Sequence, residues 1–275
     1  MFPKYEYRNS SISVLHWPKR MLTYPARFHK HFEAMLIKTA STQANIDGKP
    51  YTLYPGDIYV AFPNVLHSIE ASESQAIAVI VDFELYQAFH DVLIRNAPDP
   101  PILRAGDFPK EVYAIFERMS ELYNSEIELP YVQNTLAGYA NALLGELMGS
   151  MKLVKRSVDD GLLQKLIVYF LHNYTRELTL EDVARDLNYS KYYISRVVTN
   201  TFGCNFRTLI NTYRVSMAQN LLVSSAKSVS EIALECGFKN QSSFNRIFLK
   251  HSGITSGEYR KKMGPPPDKP ELVIR

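Results

Sequence analysis

The sequence predicts an α+β chain: an N-terminal β-barrel or sandwich carrying a helical pair, then an all-α domain with two helix-turn-helix units. Three observations predict it. Short β-rich segments separated by turn signals fill residues 14–83. Helical apolar spacing takes over after Pro98–Pro101. The last hundred residues contain a weak internal repeat.

The 275 residues suffice for two domains, and 46% hydrophobic with 21% charged residues is a globular composition. No apolar run approaches the ~18 residues that cross a bilayer, and Met1-Phe2-Pro3-Lys4-Tyr5-Glu6 lacks the apolar core of a secretory signal. Two cysteines, Cys204 and Cys236, make neither a disulfide framework nor a metal spacing, so a cytoplasmic protein is expected. The net charge of +3 is unevenly divided. Residues 1–156 carry 15 Lys/Arg against 17 Asp/Glu; residues 161–263 carry 14 against 7. Only the C-terminal part is thus suited to a polyanion, although a solvated basic face explains the charge equally well.

The predicted strands include Ala34-Met35-Leu36-Ile37, Tyr51-Thr52-Leu53, Ile58-Tyr59-Val60-Ala61-Phe62 and Ala76 to Val81. Asp47-Gly48, Pro55-Gly56-Asp57 and Pro63-Asn64 punctuate them. Two helices follow. Val112, Ile115, Phe116, Met119 and Leu122 form one apolar stripe after Asp107-Phe108-Pro109. Val132, Leu136, Ala140, Leu143 and Leu147 form another after Leu129-Pro130. Such a pair is either a lid on the β domain or a dimer seam. Polar Lys152 to Asp160 reads as a linker. From Leu162 the chain is helical until Pro265-Pro266-Pro267, after which a disordered tail is expected. The resulting domains are 1–100, 101–156 (dimerisation), 157–263 and 264–275.

In the repeat, Val183-Ala184 is followed by Leu187, Asn188-Tyr189-Ser190, Ile194 and Arg196. Ile232-Ala233 is followed by Cys236, Gly237-Phe238-Lys239, Phe244 and Arg246, with one extra residue in the turn. Each copy is a short helix, a tight turn and a second, polar-capped helix. The small Ala184 and Ala233 allow close helix crossing, and Gly237 supplies a conformation that a side chain penalises. Between the copies, roughly Asn205 to Val223 forms one helix of ~30 Å. Successive major-groove openings on one DNA face lie ~34 Å apart, so such a helix suits two readers in adjacent grooves. On the first reading helix Tyr193, Ile194 and Val197 face inward. Ser190, Lys191, Tyr192, Ser195, Arg196 and Thr199 face outward. On the second, Phe244 and Phe248 face inward; Asn240, Gln241, Ser242, Asn245 and Arg246 face outward. Arginine bridges guanine O6/N7, Asn or Gln bridges adenine N6/N7, and Ser and Lys more often hold phosphates. An internal salt bridge is the competing role for Arg246.

The run Ile232-Ala233, Gly237-Phe238, Phe244, Arg246, Phe248, Gly253, Thr255 and Tyr259-Arg260 closely resembles the signature of the AraC/XylS family. Leu178 to Ala184 with Tyr189-Ser190, Ile194, Ser195 and Arg196 resembles its first helix-turn-helix. The likeness covers about Leu162 to Lys262. Ser256 stands where the family usually has Pro, and Asn188 where it usually has Gly. The N-terminal half resembles the family's cupin-like β-barrel sensor domain. Tyr54-Pro55-Gly56-Asp57 with Phe62-Pro63-Asn64 and His67 is similar to the second cupin motif, and His29, His31 and Glu33 to a degenerate first one. The glycine expected near Lys38 to Gln43 is absent.

The resemblance implies a transcription regulator and not an enzyme: double-stranded DNA and RNA polymerase as partners, a homodimer, no cofactor, and activation more often than repression. The effector it implies is a small polar molecule such as a carbohydrate. Trp17, Arg27, His29, His31, Tyr51, Tyr59 and His67 are the candidate effector residues, with barrel-core roles as the alternative for each. His29, His31, Glu33 and His67 have the residue types of a metal site, and on one strand the first three would share a face. Glutamate comes sooner than metal-binding cupins place it, and no metal is expected.

Overall fold

The computed structural model describes residues 4–8, 10–20, 23–70, 74–125 and 130–263. The strands are β1 (Lys4–Tyr5), β2 (Ile12–Arg20), β3 (Thr23–Phe28), β4 (Phe32–Ile37), β5 (Thr42–Ile46), β6 (Lys49–Leu53), β7 (Ile58–Ala61), β8 (His67–Glu70) and β9 (Ser74–Val81). Then come α1 (Gln87–Arg95), β10 (Asn96–Pro98), β11 (Ile102–Leu103), α2 (Glu111–Asn124), α3 (Val132–Ser150) and β12 (Leu153–Lys155). The last elements are α4 (Val158–Asn173), α5 (Leu180–Leu187), α6 (Lys191–Phe202), α7 (Phe206–Ser224), α8 (Val229–Glu235), α9 (Gln241–Ser252) and α10 (Ser256–Met263). The predicted tail, Met1-Phe2-Pro3 and Leu129 lie outside the described residues.

Residues 10–157 form a strand-rich unit. Its central sheet, ordered β11-β7-β4-β9-β2, is antiparallel throughout. Every residue of β4 and β7 is buried, which an antiparallel sheet reaches only when both faces are covered. Alternate residues explain how. Ala34, Leu36, Val60 and Val79 pack with Val112, Phe116, Met119, Leu136, Leu143 and Leu147 of the helices. Met35, Ile37, Tyr59, Ala61, Ala76 and Ala78 pack with Ala44, Ile46, Leu53 and Ile69 of a second sheet. That sheet runs β3-β8-β5-β6, also antiparallel. In β5, buried Thr42, Ala44 and Ile46 alternate with exposed Gln43 and Asn45, leaving its other face to solvent.

Three expectations change. The strands make two facing sheets, and no ladder closes them into a barrel among the described residues. The helical pair is no separate domain, because its apolar stripes complete the core of the central sheet. The 152–160 linker is structured: β12 pairs with β10, and the Arg156 guanidinium donates to the carbonyls of Asn96, Pro63 and Leu93.

Residues 4–8 group instead with 158–263, which moves the predicted domain start. The Tyr5 ring packs 4.2 Å from the Tyr213 ring on α7, and the Tyr7 amide donates to Ser216 Oγ at 3.1 Å. α7 is the hub of this helical unit, packing against α6, α8, α9 and α10. The two helix-turn-helix turns close alike, with Tyr189 N–H bonding Ala184 O at 2.9 Å and Phe238 N–H bonding Ala233 O at 3.0 Å. Asn188 and Gly237 occupy the same left-handed position, at φ +59° and +79°. Asparagine tolerates that conformation. Gly237 is required for a second reason, since an added Cβ would lie 2.2 Å from the Tyr174 carbonyl oxygen where α4 ends.

Gly203 is also left-handed but has open space around its Cβ direction. Gly203→Ala should therefore cost only the conformational ~1–2 kcal/mol. Gly237→Ala should cost clearly more. Urea unfolding of the two variants, followed through the helical unit, checks this; equal losses would mean that the α4 contact yields without cost.

Candidate nucleic-acid interface and a buried polar cluster

The predicted reading residues sit on α6 and α9, and the start of each helix explains why. Ser190 Oγ accepts the Tyr193 amide at 3.2 Å, and Asn240 Oδ1 accepts the Ser243 amide at 2.8 Å. Both are helix caps. Capping uses their acceptor atoms and leaves the Ser190 O–H and the Asn240 amide NH₂ for an outside partner. Ile194 and Val197 are buried as expected, with Val198 beside them; Tyr193 is half-buried. Phe244 and Phe248 are buried in α9. Lys191, Tyr192, Arg196, Thr199, Gln241, Ser242, Asn245 and Arg246 are exposed, while Ser195 is half-buried.

Their surroundings differ. Lys191 Nζ pairs with Glu181 at 3.0 Å, and both are exposed. Such a pair contributes at most ~1 kcal/mol, so a phosphate competes with it readily. Tyr192 is 77% exposed, too much for a core aromatic. Arg196 lies over the Tyr193 ring, 5.2 Å from its centroid. Among the described residues neither Arg196 nor Arg246 makes an ion pair. Two other arginines of the basic unit are tied to backbone carbonyls. Arg214 donates to the Tyr174 and Arg176 carbonyls at 2.9 and 2.8 Å, and Arg260 to those of Leu222 and Lys227. Arg207, exposed in the first turn of α7, is a further outward basic group that the helix-turn-helix pattern does not single out.

In the strand-rich unit the second sequence-predicted set gathers around a residue left off the candidate list. Glu33 is fully buried on β4. Arg27 donates to both of its oxygens at 3.2 Å and to His67 Nε2 at 3.3 Å. His29 Nε2 meets Glu33 Oε2 at 2.9 Å, and Tyr59 Oη donates to Oε1. Tyr24 completes the set, its hydroxyl 3.0 Å from that of Tyr59 and its ring under the Arg27 guanidinium. Burial alone would push the Glu33 carboxyl up, but Arg27, with the His29 and His67 hydrogen bonds, holds it well below the usual carboxylate range. Burial and then the Glu33 charge push the Tyr59 hydroxyl well above the usual phenol range, keeping it a donor.

The shared strand face for His29, His31 and Glu33 is corrected. β3 ends at Phe28 and β4 begins at Phe32, so both histidines lie in the intervening turn. His31 stands edge-on to His29, with ring centroids 5.9 Å apart, and Glu33 is bonded from Arg27, His29, Tyr59 and Tyr24 instead. Trp17 and Tyr51 are half-buried against the inter-sheet core that contains Tyr59. Glu33 had a signal in the sequence: a lone acid between Phe32 and Ala34-Met35-Leu36-Ile37 is either buried with partners or out of place. Tyr24 had none.

Comparison with known proteins adds the following. A helix-turn-helix domain family model matches residues 183–262. The HTH-type transcriptional regulator YdiP of Escherichia coli (strain K12) is 23% identical over 84% of this chain and 78% of its own length. The lactose operon transcription activator of Staphylococcus xylosus is 28% identical over 36% of this chain; the chain spans 35% of that activator's length. ToxT of Vibrio cholerae strain SCE256, solved with an unsaturated fatty acid bound, has a similar fold. Its TM-score is 0.60 at 16% identity, covering 92% of this chain and 97% of that one.

Because Asn240 caps α9, Asn240→Ala should lower the stability of the helical unit by about 1 kcal/mol, apart from any change in ligand binding. Thermal unfolding of the full-length variant checks it. An unchanged transition would show that the amide is held for another purpose.

Proposed function

The chain belongs to the AraC/XylS family of helix-turn-helix transcription regulators, and from that premise we propose that it is an effector-responsive activator reading DNA through α6 and α9. One observation carries the proposal: two capped helices present Arg196 and Arg246 unpaired, one on each side of a 19-residue helix. At 1.5 Å per residue α7 spans ~28 Å, near the ~34 Å groove repeat. Arg196, Gln241, Asn245 and Arg246 are assigned to base edges. Lys191, Ser190, Ser195, Ser242 and Asn240 are assigned to the backbone, and Tyr192 to either.

The effector is assigned to the strand-rich unit, whose cupin-like character is part of the proposal. The cluster of Arg27, His29, Tyr59 and His67, flanked by Trp17, Tyr51 and the inner face near His31, suits a small polar molecule. A sugar is the preferred class, because a relative is named for the lactose operon and the cluster offers charged and hydroxyl groups. The effector acts by binding one arrangement of the protein better than another. A homodimer through the outward faces of α2 and α3 would set four reading helices on repeated half-sites, with RNA polymerase as the further partner. No described helix is long and apolar enough to cross a membrane.

Fluorescence anisotropy of the purified protein on its own upstream DNA, across a salt series with and without sugars, tests the whole reading. Tight, salt-dependent, sequence-preferring binding shifted by a sugar is the expected result. A shift by a fatty acid and by no sugar would reassign the effector, and binding no better than to random DNA would sink the reading. Within the same assay, Arg196→Ala should cost about 1–3 kcal/mol and relax preference at one base pair. Lys191→Ala should weaken all sequences alike and flatten the salt slope. An Arg196→Ala variant that kept its affinity and its preference would overturn the base assignment.

A further inference from the structure

His29 Nε2, a Glu33 carboxylate oxygen and His67 Nε2 all lie within 4.8 Å of one another, and all three residues are buried. Their supports are those of metal-bound histidines. His29 Nδ1 bonds the His31 carbonyl at 3.1 Å and His67 Nδ1 bonds the Val65 carbonyl at 3.0 Å. Backbone anchoring of that kind fixes the ring and turns Nε2 toward the shared centre. Tyr59 and Tyr24 hold the remaining carboxylate oxygen as outer partners. Two imidazole nitrogens and one carboxylate are a donor set for a borderline divalent ion of the zinc or cobalt type.

The side chain at the centre of this set is Arg27. Its guanidinium donates to both Glu33 oxygens and, through Nε, to His67 Nε2. These are lone pairs that a metal would need on Glu33 and His67. His29, bonded to the His31 carbonyl and to Glu33, donates through both nitrogens and would give up its Nε2 proton to a metal. The planar fork of arginine matches a carboxylate in a way that a lysine ammonium does not, and it stays charged when buried. The Tyr24 ring supports the guanidinium from one face, 3.8 Å away. A buried carboxylate requires a counter-charge, and here the chain provides it covalently.

We propose that Arg27 stands in the place of a divalent transition-metal ion among His29, Glu33 and His67, excluding the ion in the native protein and exposing a metal site when its guanidinium is removed. The ligands are already anchored from outside, so loss of Arg27 leaves the Glu33 and His67 lone pairs converging on one point, with His29 Nε2 beside them once its proton is displaced by the metal. A neutral side chain of similar length fills the stem of the arginine and leaves that point open. The Glu33 charge, having lost its guanidinium partner, then favours uptake of a cation.

The experiment titrates full-length wild type, Arg27→Met and the double variant Arg27→Met/His67→Ala with Co²⁺, whose ligand-field absorption reports bound nitrogen and oxygen donors. Total metal is measured after dialysis. Arg27→Met is expected to take up one Co²⁺ per chain with visible bands and a rise in melting temperature. Wild type should take up none under the same conditions, and the double variant should bind at least about tenfold more weakly than Arg27→Met. Arg27→Gln serves if Arg27→Met is insoluble, since it keeps one amide donor toward Glu33. A folded, soluble Arg27 variant that binds no cobalt would overturn the metal-shaped site. Uptake by wild type equal to that of the variant would overturn the exclusion by Arg27. Equal binding by the double variant would assign the ion to other histidines and overturn the proposal as well.

Discussion

The helical unit is organised by a single constraint, that α6 and α9 both pack against one helix, α7. Val215, Ala218 and Leu222 of α7 share a core with Ile232, Ala233, Phe244 and Phe248. Each buried phenylalanine contributes on the order of 2–3 kcal/mol, so α9 is held by its apolar face and its polar face is left outward. The separation of α6 from α9 is then set by α7, against which both pack. The outward side chains of α9 can therefore change without disturbing the apolar face that fixes the helix against α7.

The strand-rich unit answers to another constraint. Its central sheet has no solvent face, so a polar residue on β4 must find every partner inside the protein. Glu33 finds them in Arg27, His29, Tyr59 and Tyr24. Their hydrogen bonds fix the turn between β3 and β4 and join β4 to β7 through side chains as well as through the ladder. A network satisfied this fully specifies one packing of the two sheets. It also places the unit's most concentrated polar chemistry where a bound molecule would act on several strands together.

Much of this was legible in the residues, for reasons that differ by region. The helix-turn-helix units were readable because their determinants are local: a small alanine, a left-handed turn residue, a cap and an apolar i, i+4 pair. Even the extra turn residue of the second copy appears where the spacing of Ala233 and Asn240 put it. The helical stripes of α2 and α3 were equally plain. Their partner was not, because a stripe shows that a face is buried but not against what. The 152–160 stretch failed for the opposite reason. It is polar and short, and its order comes from β10 and from three carbonyls held by Arg156, which composition does not record. The histidines stand out by residue type, but their geometry depends on a turn between Phe28 and Phe32 that strand alternation does not record. Glu33 organises them through bonds to Arg27 and His29 that the motif spacing does not encode.

The hydrogen bond from Tyr7 to Ser216 joins residues 209 positions apart. During synthesis at roughly 5–20 residues per second, the partner of residues 4–8 does not exist for some tens of seconds after they are made. The strand-rich unit has time to complete itself in that interval; the helical unit does not. Tyr5, buried to 1% exposure in the finished protein, spends this time in water or in transient company. The helical unit therefore cannot complete its packing around Tyr5 and Tyr7 until α7 has been made.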